Sequence, residues 1–187
     1  MVYGTGYCYG HLANDSVGVD DVTIKAQGIG VASVVAKFFE KVPDVDGIFG
    51  MGLSAIAEPP TLISPLTDMV KQNLVSAEMF GVYLDSKADE NSEITWGTID
   101  KTKYTGELQT APYIPFPISV MYYMTGWSKM EVNGKKVAGF DCGIECLAVV
   151  DTGTSAIVGP SATIKKINDM LNISKDCSNK DTLPSVK

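Results

Sequence analysis

The residues best suited to chemistry lie between Val149 and Ser155, in the segment VVDTGTS. An apolar run from Leu147 to Val150 ends at an acid, Asp151, and the chain then turns on Gly153 between two hydroxyl residues, Thr152 and Thr154. We read the run as a buried strand with a carboxylate at its end. Such a carboxylate is costly unless hydrogen bonded, and Thr152, Thr154 and the backbone amides around Gly153 are the nearest donors. Held in this way, it can activate water if a second carboxyl shares the proton and keeps the pair singly ionised. Two other readings fit the same residues: a phosphate-binding turn after an apolar strand, and a structural turn without chemistry.

The elements that must position this segment read mostly as short strands separated by Gly, Pro, Asn and Asp, so the expected class is all-β. Val17 to Ile24, VGVDDVTI, nearly alternates apolar with polar residues, as a strand does. Glu131 to Val137, EVNGKKV, contains Asn133-Gly134, the pair that tolerates positive φ in a two-residue hairpin. Two short helices are expected. Ser64-Pro65 supplies a cap and a first-turn proline before Leu66, Met69 and Val70, and Pro160-Ser161 opens the second before Ile164, Ile167 and Leu171. Each should lay one apolar face on a sheet. Asp85 to Ser92, DSKADENS, is charged and lacks large apolar residues, which predicts an exposed hairpin tip.

Fifteen basic against twenty-two acidic residues give a net charge of −7. A nucleic-acid partner is therefore not expected, because phosphates must be neutralised by clustered Lys and Arg. No stretch approaches the roughly 18 consecutive apolar residues of a membrane helix. Among four cysteines, Cys142 and Cys146 are spaced to close a small disulfide loop in an oxidising compartment. His11 is the single histidine, so a four-ligand zinc site would need an unusual scatter of ligands; no metal and no cofactor is expected. The sequons at Asn14 and Asn172 are candidate glycosylation sites and lean, with the cysteines, towards a secretory or vesicular protein.

Taken in order, these motifs resemble those of the pepsin-like aspartic peptidases. Tyr3-Gly4-Thr5-Gly6 looks like the family's flap, the hairpin that folds over bound peptide. Val45 to Gly52, VDGIFGMG, is similar to its apolar-apolar-Gly segment. Phe80 to Leu84, Trp96 to Asp100 and Tyr104-Thr105-Gly106 resemble the strands that close the first lobe and lead into the second. Tyr122 aligns with a substrate-side tyrosine. The small Cys142/Cys146 loop then precedes VVDTGTS and Val158-Gly159-Pro160, as in that family.

The resemblance implies the pepsin-like bilobal acid protease fold, present here incompletely: residues 1–106 as the second part of the N-terminal lobe with its flap, and 107–187 as the inter-lobe strand and the first part of the C-terminal lobe. It implies an endopeptidase in which water is activated between two aspartates. Asp151 would be one; Thr152, Gly153 and Thr154 would support it; Tyr3, Gly4, Thr5 and Tyr122 would bind a peptide or protein substrate. Only one Asp-Thr-Gly is present, so we expect a truncated piece of a longer, monomeric parent; Cys8 departs from the usual flap. The first residues show neither the basic start nor the apolar run of a signal peptide. The parent would carry that leader and be secreted or vacuolar/lysosomal, and the 187 residues alone would be inactive. The alternative from another class is a non-catalytic homologue that binds peptides or proteins through the same cleft.

Overall fold

The computed structural model describes residues 2–3, 6–36, 39, 45–85, 91–113, 122–138, 146–174, 176 and 178–183. They form short strands and two helices, with no closed barrel among them. The chain divides into two compact units, one ending at Leu108 and the other beginning at Gln109.

In the first unit a strand at Val2–Tyr3 (β1) pairs with Gly6–Val19 (β2), which pairs in turn with Val22–Val35 (β3), all antiparallel. The expected strand at Val17 to Ile24 is in fact a hairpin end. The chain reverses at Asp20-Asp21, where Asp20 takes a φ of 52°, and Val19 pairs with Val22 and Val17 with Ile24. Aspartate tolerates the left-handed region and two adjacent charges favour solvent, so alternation continued on both sides of a turn that it concealed.

Farther along this hairpin the register slips, because Asp15 pairs with Gln27 but Val17 with Ile24. Lys25 and Ala26 fall in the slip, and Ala26 has a φ of 53°. The backbone of Lys25 is satisfied by a side chain instead of a strand. Its N–H donates to Gln72 Oε1 at 2.9 Å and its carbonyl accepts from Gln72 Nε2 at 3.0 Å. Gln72 is the C-cap of the helix Pro65–Lys71 (α1), whose N-cap Ser64 accepts from Thr67 N–H. Leu66 and Met69 on α1 are buried, as is Ile24 on β3, so the helix covers the sheet with the face its apolar spacing marked out.

Phe80–Tyr83 (β4) and Glu93–Trp96 (β5) form a second antiparallel pair. Of the expected hairpin tip between them, residues 86–90 lie outside the described residues; Asp85 N–H donates to Ser92 Oγ at its base. Trp96 meets Phe49 edge-on at 6.1 Å, which ties the VDGIFG segment to β5. Beyond β5, Asp100 caps a single turn at Lys101–Lys103, accepting from the N–H and hydroxyl of Thr102, each at 2.8 Å. Lys103 closes the pair, 2.7 Å from Glu93 and over the ring of Tyr83.

In the second unit Met124–Gly126 (β6) pairs with the last strand, and Glu131–Val132 (β7) with Lys135–Lys136 (β8) around Asn133-Gly134. Positive φ values of 49° and 72° at those two residues bear out the hairpin reading. Met130, Val132 and Val137 are buried against Ile167 of the helix Ser161–Leu171 (α2), with Ile164 and Leu171 packed around them. Lys166 adds a hydrogen bond from Nζ to the carbonyl of Ala138 at 3.0 Å. No described helix is long and apolar enough to cross a membrane.

Candidate active site

Asp151 is placed by the strand Leu147–Val149 (β9), which runs antiparallel to β6 with Met124 opposite Val149. One further bond, from Val150 N–H to the carbonyl of Tyr123 at 2.8 Å, carries the pairing to the edge of the acid. β6 is braced on its other side by a bridge between Thr125 and Tyr113, and Thr125 Oγ1 donates to the carbonyl of Pro112.

At Asp151 the chain turns, with Thr154 N–H reaching back to its carbonyl at 3.3 Å. The two carboxylate oxygens then receive separate donors: Gly153 N–H to Oδ1 at 2.9 Å, and Thr154 Oγ1–H to Oδ2 at 2.6 Å. Gly153 is needed for space, since a Cβ there would stand 3.1 Å from Asp151 Oδ1, tighter than an ordinary contact. Any side chain at 153 would press on the acid.

Two expectations about this segment need correction. Leu147 to Val150 is not buried: Val149 is 47% exposed and Val150 is 62% exposed. Among the described residues β9 has β6 on one edge and no second layer over its face, so its apolar side chains remain at the surface. Thr152 does not hold the acid either. The turn directs the Gly153 amide and the Thr154 hydroxyl onto the carboxylate, and among the described residues nothing bonds the exposed Thr152 hydroxyl.

Tyr122 is exposed, one residue before the Tyr123 carbonyl that anchors the strand end. Tyr3 belongs to the other unit, where its backbone pairs with Gly6 in β1–β2; Gly4 and Thr5 lie outside the described residues. Cys146 is disulfide-bonded, and its carbonyl accepts from Trp127 N–H; Cys142 lies outside the described residues. Asn14 is exposed on β2 and Asn172 is exposed at the end of α2. Among the described residues no three His, Cys, Asp or Glu are grouped to hold a metal ion.

Sequence reasoning missed that Val150, Ile157 and Val158, all near Asp151 in sequence, stay exposed, the last at 81%. The signal was available, because three β-branched residues so close to an acid need either a cover or a function. It also missed Tyr123, whose carbonyl anchors the strand end.

The family model described as eukaryotic aspartyl protease matches residues 1–185. The chain is 32% identical over its whole length to pepsin II-1 of Oryctolagus cuniculus, covering 48% of that protein. It is 32% identical to pepsin A of Bos taurus, covering 50% of it, and 33% identical to cathepsin D of Dictyostelium discoideum, with 98% of this chain and 49% of that protein covered. It thus spans about half the length of these curated relatives. A match over nearly all 187 residues, together with the strand-end Asp-Thr-Gly turn, establishes that the chain belongs to the eukaryotic aspartyl protease family.

Proposed function

We propose that this chain carries half of the catalytic pair of an aspartic endopeptidase, with Asp151 as one of two carboxyls that drive water onto a peptide carbonyl. The observation that carries the reading is the Asp151 turn, where two donors of the loop itself hold separate carboxylate oxygens at an exposed position. A carboxylate accepts about four hydrogen bonds, so two sites remain for water and a partner carboxyl.

Asp151-Thr152-Gly153 is the single Asp-Thr-Gly in the 187 residues. In this proposal a matching triplet in a longer parent, ahead of Met1, supplies the second carboxyl. Two carboxyls that close cannot both ionise; one takes a proton from water while the other gives a proton to the carbonyl oxygen. The Thr152 hydroxyl, unused within its own turn, is free to brace the opposing loop. Tyr122, Tyr3, Gly4 and Thr5 bind the peptide in this proposal. The exposed apolar side chains of Val150, Ile157 and Val158, near Asp151 in sequence, suit large apolar residues of a protein substrate. The disulfide at Cys146 supports an oxidising destination, secreted or vacuolar/lysosomal.

The test is acid proteolysis by the full-length parent. Denatured globin should be cleaved at acid pH, and a statine peptide, which mimics the tetrahedral transition state, should block the cleavage. A parent that binds peptides but never cuts them, at any pH, rejects the proposal and favours the non-catalytic alternative.

A further inference from the structure

The two sequons are equivalent as triplets, Asn14-Asp15-Ser16 and Asn172-Ile173-Ser174, but they sit in different structural settings. Asn14 lies within the β2–β3 ladder, opposite Gly28. Its side chain is turned onto that glycine: Oδ1 is 3.6 Å from where a Cβ on Gly28 would stand, and Leu62 Cδ2 occupies the same spot at 2.6 Å. Asn14 is exposed, yet its side chain lies alongside Gly28 of the paired strand, the residue against which Leu62 of the segment ahead of α1 packs. Gln27, next to Gly28, reinforces this packing by donating to the carbonyl of Ile63 at 3.0 Å.

Asn172 is held quite differently. It is the C-cap of α2, with a φ of 52° and a ψ of 46°, a left-handed conformation that asparagine tolerates well. Its backbone is pinned on both sides, by N–H to the carbonyl of Asn168 at 2.9 Å and by its carbonyl to Asn179 Nδ2 at 2.8 Å. Ser174 N–H donates to the side chain of the same Asn179 at 2.9 Å. The side-chain amide of Asn172 is exposed and, among the described residues, has no hydrogen bond. The buried face of α2 is formed by Ile167 with Ile164 and Leu171, and Asn172 lies past its end. The disulfide at Cys146 is an independent sign of the oxidising compartment in which such acceptors are modified.

We propose that Asn172 carries an N-linked glycan and that Asn14 does not. The amide nitrogen of Asn172 bonds to the anomeric carbon of an oligosaccharide carried on a lipid pyrophosphate. The anomeric carbon–oxygen bond breaks, the lipid pyrophosphate leaves, and the amide nitrogen gives up one proton. A bulky, hydrated group fits at Asn172 because it lies past the end of the helix, with its backbone fixed and its amide in solvent; at Asn14, also exposed, it would stand within a paired strand and crowd the ladder at Gly28, where Leu62 packs. The glycan would also shield the neighbouring side chain of Ile173, which is 41% exposed.

The test is expression of the full chain behind a cleavable secretion leader in a eukaryotic cell, with intact-mass measurement before and after treatment with an amidase that removes N-glycans. One glycan is expected on the parent sequence and on Asn14→Gln, and none on Asn172→Gln. Ser174→Ala serves as the second variant, because it removes the sequon while leaving the Asn172 side chain and the Ser174 backbone bond in place; it too should carry none. A glycan on Asn14, a glycan persisting in Ser174→Ala, or an unglycosylated parent whose Cys146 is oxidised would overturn the proposal.

Discussion

At the scale of the residue, the function assigned to Asp151 rests on two hydrogen bonds that its own turn supplies. Thr154→Val in the full-length parent removes the 2.6 Å donor and leaves one carboxylate oxygen unheld. A hydrogen bond to a charged group is worth about 1.5–3 kcal/mol, and the exposed position brings the expected effect to the lower end. We expect kcat/KM to fall on the order of tenfold, with little change in thermal stability, measured on one peptide substrate. Unchanged kinetics would show that Thr154 is only a turn residue. The carboxylate, its glycine and one of its hydroxyl donors were legible in VVDTGTS, since few other donors lie within reach. Which threonine serves was not legible, because both flank Gly153 and only the conformation of the turn decides which hydroxyl reaches the acid. Nor was exposure: an apolar run of three or four residues looks the same whether or not a second layer covers it.

At the scale of the element, the least ordinary feature is Gln72, which substitutes for a strand at the register slip of β2–β3. Gln72→Ala leaves both backbone groups of Lys25 to solvent and should destabilise the first unit by about 1–2 kcal/mol, read from the urea midpoint at unchanged slope. Gln72→Glu keeps the acceptor, loses the donor, and should fall between. A second expectation concerns pH. The N–H and hydroxyl of Thr102 hold the Asp100 carboxyl below its ordinary value. Because the folded value is the lower one, the stabilisation is present above the unfolded value and is lost as pH falls through the folded value. The Thr102 amide resonance should therefore titrate at more acidic pH than that of an unstructured aspartate peptide; coincident titrations would contradict the cap. Helix α1 was readable from Ser64-Pro65 and its apolar spacing, and the β7–β8 hairpin from Asn133-Gly134, because in each case the local chemistry requires the conformation. The turn at Asp20-Asp21 and the Gln72 clamp were not, since one hides inside an alternating pattern and the other joins residues 47 positions apart.

At the scale of the whole molecule, family membership is settled by a match that runs from residue 1 to residue 185, while the chain spans about half of each compared relative. One Asp-Thr-Gly supplies one carboxyl, and a water needs two to be deprotonated on one side while the carbonyl is protonated on the other. The most direct measurement is the rate of acid cleavage of denatured globin by three purified proteins: the full-length parent, its Asp151→Asn variant, and the 187-residue chain. We expect cleavage by the parent, a loss of at least about 10²-fold in the variant, and none by the chain alone. Full activity retained in Asp151→Asn, or robust acid cleavage by the 187 residues, would contradict the claim that Asp151 is one member of a catalytic pair.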